Sequence, residues 1–286
     1  MPDSPTSGNI RILGDESFRP IVEAEVSAFT SLYRNAHITP YFKPEKELIA
    51  DFLNDSVDVV VTSWAPSEEM KKILLNSQVV TKTVLVAYDA LALVLNRENM
   101  DSLITYDEVK AIFTGAILNW NQINPKSRLG EINVIFDNDK SANLRYFKEK
   151  FSLPEQLPPR FFAVKSNPEV INYVSQTPGS IGIISVNWIS DGDDKESAGF
   201  SDKIRVAAVS SEFMDKNTFY KPVQGSIFDK SYPFVREFNI VSRESIYGLG
   251  SGFIAWVSGE QGQRIILKSG LVPATMPVRL VRLNKK

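Results

Sequence analysis

Apolar residues set the rhythm of the first third of the chain. In Asn9-Ile10-Arg11-Ile12-Leu13 they alternate with polar ones, the two-residue period of a strand. From Ser17 to Phe29 the period lengthens, and Ile21, Val22, Val26 and Phe29 fall on one stripe of a helix, with Ser17 placed to cap it. His37 to Phe42 predicts the next strand and Pro44 to Leu53 the next helix, which groups Leu48, Ile49, Phe52 and Leu53. Val57-Asp58-Val59-Val60-Val61 has the β-branched content of a buried parallel strand, and Ser67 to Leu75 reads as a helix with Glu68 and Glu69 in its first turn. A βαβαβα series of this kind predicts a parallel sheet with helices on its faces.

Two more strands are expected at Val79 to Ala87 and Ala90 to Leu95, parted by Tyr88-Asp89. Thr105-Tyr106-Asp107-Glu108 forms a capping box ahead of Val109, Ile112 and Phe113, and Gly115 supplies the stop. A second α/β series follows: strand Ile132 to Phe136, helix Ser141 to Phe151, helix Asn167 to Gln176 and strand Ile181 to Ile184. Asp191 to Phe200 reads as an exposed loop, Val235 to Val241 as a strand, and Gly252 to Leu267 as one helix closing on Gly270.

Composition then removes whole classes of chemistry. The 286 residues carry 32 Lys+Arg against 34 Asp+Glu, a formal net charge of −2, which gives no reason to expect a nucleic-acid or membrane surface. Without Cys there is no disulfide, thiol nucleophile or thiolate metal site, and the single His37, a surface or hydrogen-bonded strand residue by its context, leaves little room for a zinc site or a Ser-His-Asp triad. No metal and no cofactor is expected. The longest apolar stretch, Val84 to Leu95, is too short for a membrane-spanning helix of about 20 residues. Met1 to Gly8 lacks the pattern of a signal peptide, so the chain is expected to be cytoplasmic or already mature. Gly248 to Phe253 reads as a glycine-rich helix entry, because its third Gly falls one place early for a dinucleotide fingerprint. Arg279, Arg282, Lys285 and Lys286 read as a solvated tail, and Glu68-Glu69 and Asp193-Asp194 as a helix turn and a loop.

Three polar segments each follow a predicted strand and precede a predicted helix: Asp15-Glu16-Ser17, Thr62-Ser63-Trp64, and Asp137 to Asn143. In open α/β sheets ligands bind outside the carboxyl ends of strands, where helix N-termini offer free N–H groups. Each segment alone is explained as well by a helix cap. Three spread over both α/β series favour a small polar or anionic ligand held between two lobes.

Several longer stretches, taken in order, resemble the phosphate-binding substrate-binding proteins of ABC transporters. They are Asp89 to Asn96, Leu103 to Gly115 with its Ile112-Phe113-Thr114-Gly115, Asn119-Trp120, Pro178 to Gly182, Tyr232-Pro233-Phe234, Gly252 to Trp256, Gly262-Gln263 and Gly270 to Pro273. The resemblance implies an α/β, two-lobed Venus-flytrap fold, each lobe a mostly parallel sheet flanked by helices, with hinge crossings near Leu95-Asn96 and Tyr232-Pro233. Lobe one is then 8–96 plus 234–286, and lobe two 97–233. It also implies a non-enzymatic protein that binds phosphate or a similar oxyanion for an ABC-transporter permease. Such a protein is expected to be a monomer of the periplasm or cell envelope, made as a precursor with a signal peptide and, in a lipoprotein, a lipidated Cys.

Carried over residue by residue, the ligand-binding set is Asp15, Glu16, Ser17, Thr62, Ser63, Asp137, Ser141, Ala142 and Asn143, with Arg145 added one turn into the same helix. Two departures stand out. The first loop is not of the family's Gly-Ser-Thr type, and the third lacks both the Arg and the Gly-Thr of R-x-x-x-S-G-T, with Asp137 where the Arg belongs. Arg145, Arg19 and Lys140 are all open as the compensating cation. The missing Arg motivates a rival, a sensor or scaffold that has lost phosphate binding. A hydrolase using Ser17 or Ser141 is disfavoured because neither Ser has a candidate base.

Overall fold

The computed structural model describes residues 4–244 and 247–277. In chain order its elements are β1 Gly8–Asp15, α1 Arg19–Leu32, β2 Ala36–Lys43, α2 Glu45–Leu53, β3 Val59–Thr62, α3 Glu68–Asn76 and β4 Lys82–Asn96. Then come β5 Leu103–Ile104, α4 Tyr106–Thr114, β6 Asn133–Phe136, α5 Ala142–Phe151, β7 Phe161–Ala163, α6 Asn167–Gln176 and β8 Ser180–Ser185. The rest are α7 Lys195–Ser201, β9 Ile204–Val206, β10 Ala208–Ser210, β11 Phe219–Tyr220, α8 Gln224–Phe228, β12 Val235–Ser242, α9 Leu249–Ser258, α10 Glu260–Lys268 and β13 Val272–Pro273.

The main sheet runs β2-β1-β3-β12-β4-β8-β6-β7, with β13 and β9 also on β4. β1 pairs parallel with β2 and β3, and β6 parallel with β7 and β8, so each half is parallel as the two α/β series predict. The antiparallel pairs of this sheet are β12 with β3 and β4, β13 with the first part of β4, and β8 and β9 with its second part. β12 pairs with β4 from Lys82 to Ala90, and β4 then changes partner, pairing with β8 from Leu91 to Leu95. The expected break at Tyr88-Asp89 is absent. β4 is one 15-residue strand, because Asp89 is paired with Arg236 in register and needs no turn to reach water.

Local chemistry explains most other boundaries. Ser67, Thr105, Ser141 and Ser166 each accept the third backbone N–H of their helix, and the capping box at Thr105 and Glu108 is complete. Gly115 ends α4 at φ +87°, a conformation a side chain would strain. Ser17 is not the cap of α1: Asp15 caps a short 3₁₀ turn, Glu16–Phe18, through Ser17 N–H, and α1 begins after it. The predicted loop from Asp191 contains α7, capped by Asp194, and the single helix expected over Gly252 to Leu267 is two helices broken at Gly259. Gly248 opens α9 as a glycine-rich entry, and Glu244 accepts from the N–H of Gly250 at 2.9 Å. His37 is exposed on β2. The tail cations from Arg279 lie outside the described residues.

The core spans both halves. Phe113, Phe136, Phe147, Phe151 and Phe161 pack ring on ring in the second half, with Phe113 and Phe147 stacked at 4.5 Å. Trp120 is fully buried and donates to the carbonyl of Gly179 at 2.9 Å. The Ile112 to Gly115 and Asn119-Trp120 signature is therefore packing and capping. Its residues hold the second half together and do not reach the site. Among the described residues no helix is long and apolar enough to cross a membrane.

Candidate ligand-binding site

The turn after β1, the turn after β6, the start of α6 and the end of β8 converge beside the paired strands β4 and β12, at Asp89 and Arg236, and there a buried cation sits. Arg236 of β12 is 5% exposed. Its Nε donates to Asp89 Oδ2 at 2.8 Å, Nη1 to Asn143 Oδ1 at 2.8 Å and Nη2 to Ser17 Oγ at 2.9 Å, and its guanidinium lies 4.5 Å from the ring centre of Phe18. It joins the first half, through Ser17, to the second, through Asn143.

Around Arg236 the polar groups bond one another, leaving Asp15 Oδ2, Asp89 Oδ1 and Asn187 Oδ1 without a partner. Ser17 donates from its N–H to Asp15 Oδ1 at 3.0 Å and from its hydroxyl to the same oxygen. Asn143 Nδ2 donates to Asp137 Oδ1 at 3.0 Å, and Asn167 donates to Glu16 from its side chain and from its N–H at 3.3 Å. Ser185 Oγ donates to Asp89 Oδ2 at 2.8 Å, and Asn187 Nδ2 donates to the Ser17 carbonyl at 2.7 Å and to Ser185 Oγ.

A second group adjoins the first. Glu45, 1% exposed at the start of α2, accepts from Thr62 Oγ1 at 2.7 Å and Ser63 Oγ at 2.9 Å. Arg145 of α5 bonds both carboxylate oxygens of Glu45, Ser63 Oγ at 2.9 Å and Glu149.

The sequence-derived residues thus divide in two. Asp15, Glu16, Ser17, Asp137 and Asn143 meet around Arg236, while Thr62, Ser63 and Arg145 meet around Glu45. Ser141 caps α5 through Leu144 N–H at 3.2 Å, and Ala142 is buried as its first residue. Of the three candidate cations, Arg145 is spent on Glu45 and Glu149, Lys140 reaches Glu47 at 2.9 Å, and Arg19 lies over the Phe42 ring. The cation at the convergence, Arg236, is none of them. Its signal in the sequence was a charge in strand Val235 to Val241 matched by Asp89 inside the longest apolar stretch. Glu45, Asn167, Ser185 and Asn187 carried no local signal.

Electrostatics at this point are unusual for an anion site. Burial pushes the carboxyl of Asp15 up to about 6, aided by the charge of Glu45 and opposed by Arg236. Burial likewise pushes Glu16 up to about 7, against the Asn167 hydrogen bonds, and raises Asp137 well above the carboxylate range, helped by the charges of Asp15 and Glu16. Asp89 is also raised by burial, although Arg236 and Ser185 oppose it. Glu45 goes the other way: burial is outweighed by the hydrogen bonds and charge of Arg145. Near neutral pH Glu16 is therefore partly protonated while Asp15 is mostly ionised, so these carboxyls can both donate and accept, a set suited to a ligand carrying its own exchangeable protons. Among the described residues no three His, Asp or Glu side chains converge to hold a metal ion.

A two-lobed α/β protein whose polar residues gather where one long strand passes between the lobes belongs to the class that closes around a small solute. The PBP superfamily domain matches residues 2–260, and the chain is a member of that family. Phosphate-binding protein PstS of Bacillus subtilis is 22% identical over 94% of this chain and 82% of its own length, and that of Borreliella burgdorferi 23% over 92% and 89%. Among solved structures, a putative phosphate ABC transporter substrate-binding protein with bound phosphate from Clostridium perfringens superposes with a TM-score of 0.78 at 23% identity, covering 93% of this chain and all of that one. An ABC-type phosphate transport receptor from Vibrio cholerae gives 0.68 at 20% identity, with 94% and 100% coverage.

Proposed function

We propose that the protein binds inorganic phosphate between its lobes and presents it to the membrane permease of an ABC transporter, as an extracytoplasmic monomer without catalytic activity. The observation that carries this reading is Arg236, a buried cation bonded to the turn after β1 and to the first turn of α5. It stands in for the Arg that the Asp137 segment lacks. The relatives named for phosphate binding support the same ligand and the same transport role. The lobe division we propose follows strand partners, with the first crossing at Ala90-Leu91, earlier on β4 than Leu95-Asn96, and the second at Tyr232-Pro233.

Micromolar binding corresponds to about 8 kcal/mol, within reach of four to six charge-assisted hydrogen bonds at about 1.5–3 kcal/mol each after the cost of closure. The carboxyl of Asp137 distinguishes anions, because in its ionised form it accepts a hydrogen bond only from a ligand that carries a proton. It can exchange a hydrogen bond with hydrogen phosphate or dihydrogen phosphate, whereas sulfate carries no proton at neutral pH. Calorimetry at pH 7 should give phosphate a clear preference over sulfate. Arg236→Gln should weaken phosphate by about tenfold to a hundredfold, and Asp137→Asn should narrow the phosphate-to-sulfate ratio. Phosphate affinity untouched by Arg236→Gln would move the site away from the crossing strands, and release of phosphate from an added phosphoester would contradict a purely binding role.

A further inference from the structure

A cavity of about 580 Å³ lies among the end of β4, the turn after β8, β9 and the start of α8, and it shares no lining residue with the groups around Arg236 and Glu45. Its charge is of one sign. Arg97, Arg205 and Lys221 line it, and no Asp or Glu is among the described residues that do. None of the three meets a carboxylate among the described residues, whereas Arg145 and Arg236 are each matched by a buried one, Glu45 and Asp89. The two guanidiniums are steered by backbone instead: Arg97 Nη1 donates to the Asp202 carbonyl, and Arg205 Nη2 to the Arg97 carbonyl at 3.2 Å. A carbonyl orients a guanidinium without cancelling its charge. Like charges gathered against low-dielectric walls concentrate a field that an anion relieves.

The rest of the wall is apolar and held in place. Val186 and Ile204 are 3% and 5% exposed, and Pro222 is buried. Gln224 Nε2 donates to the carbonyls of Leu267 at 2.5 Å and Leu271 at 2.9 Å, and the Ser190 hydroxyl donates to that of Ser269. The walls carried by α8 and by the turn after β8 are thus both tied to the connection between α10 and β13. Organic ligands occupy preformed sites of about 300–1,000 Å³ with apolar walls and a few placed polar groups. A bare inorganic anion gains nothing from the apolar part.

We propose that this cavity is a second ligand site, apart from the phosphate site, for a small organic oxyanion with an apolar body. The acid group lies at Arg97, Arg205 and Lys221, and the body against Val186, Ile204 and Pro222. Guanidinium groups pair well with carboxylates and with phosphate monoesters, whose oxygens can accept two bonds at once. The inference goes beyond the phosphate reading and does not depend on it.

The test is calorimetry with 1-naphthoate, 1-naphthyl phosphate and the uncharged 1-naphthylmethanol on the native protein, on Lys221→Gln and on Arg97→Gln/Lys221→Gln. Both substituted side chains are exposed, and that of Lys221 bonds nothing among the described residues, so the melting midpoints should stay at the native value. The native protein should bind an acid saturably and about tenfold or more tighter than the alcohol, the preferred acid identifying the head group. Lys221→Gln should lose part of that preference and the double variant most of it. Equal affinity for the acids and the alcohol overturns the inference, as does the absence of saturable binding of either acid. Acid affinity that is the same in the native protein and both variants also overturns it, by placing the probe elsewhere, and each of these results leaves the phosphate reading standing.

Discussion

Glu25 is a carboxylic acid placed where water does not reach. It is 1% exposed on α1 under α9, accepts from Trp256 Nε1 at 3.0 Å, and its Oε1 has no partner. Burial pushes it up to about 8 despite that hydrogen bond. A carboxyl raised on folding contributes stability that is fully present below its ordinary value and lost as pH rises through the raised one, here between about 4.5 and about 8. Glu25→Gln keeps an acceptor for Trp256 and removes the titration, so its melting midpoint should gain on that of the native protein as pH goes from 5 to 9. An offset between the two that stays constant across that range would mean Glu25 does not titrate there.

Residues of the site were legible in sequence where the fold is locally encoded. Asp15 to Ser17, Thr62-Ser63 and Asp137 to Asn143 stand at strand ends ahead of helices, and the chain's local period reveals such places. Arg236 meets Ser17 across 219 positions of sequence, and no local period reports a contact of that kind. Asn167, Ser185 and Asn187 were hidden for the same reason, being ordinary caps and strand-end residues until the pairing of β8 with β4 brings them together.

Among the elements, caps and lengths were the most readable features, and the misreadings have a common cause. Asp89 looked like a break in β4 because an isolated carboxylate in a strand should seek water, and it stays buried because Arg236 answers it from β12. Gly259 splits α9 from α10 because the chain folds back on itself there. At Gly262 a Cβ would come within 2.5 Å of Val257 Cα, so tertiary packing overrides helical period. Gly182 makes a similar demand inside β8. A Cβ there would lie 2.6 Å from Val170 Cγ1, 2.7 Å from Val174 Cγ2 and 2.9 Å from Val94 Cγ2, so α6 packs on bare backbone. Gly182→Ala should therefore destabilise the protein by about 1–3 kcal/mol through overpacking, read as a lower denaturation midpoint. A Val170→Ala partner substitution should recover part of the loss, and a neutral Gly182→Ala would show that α6 can shift away freely.

The two halves of the whole molecule are latched at several points. Arg145 of α5 holds Glu45 of α2, Lys140 Nζ reaches Glu47 at 2.9 Å, the Lys46 N–H donates to the Lys140 carbonyl at 3.2 Å, and Asn167 and Asn187 bond Glu16 and the Ser17 carbonyl. This is a closed arrangement, and it gathers Asp15, Glu16, Asp89 and Asp137 about the single guanidinium of Arg236. Separating the lobes would return water to Asp15, Glu16 and Asp137 and let them titrate as ordinary carboxylates. Closure therefore takes up protons: it is favoured at low pH and loses that support as pH rises through about 6 at Asp15 and about 7 at Glu16. The Glu45–Arg145 latch is outside this window, because Arg145 holds Glu45 below its ordinary value. In X-ray scattering the ligand-free protein should expand between pH 5 and pH 8, and phosphate should compact it more at pH 8 than at pH 5. Arg145→Ala, which cuts the latch that does not titrate, should be expanded at both. A radius of gyration that is the same at pH 5 and pH 8, with equal compaction by phosphate at each, would separate the carboxyl cluster from the hinge.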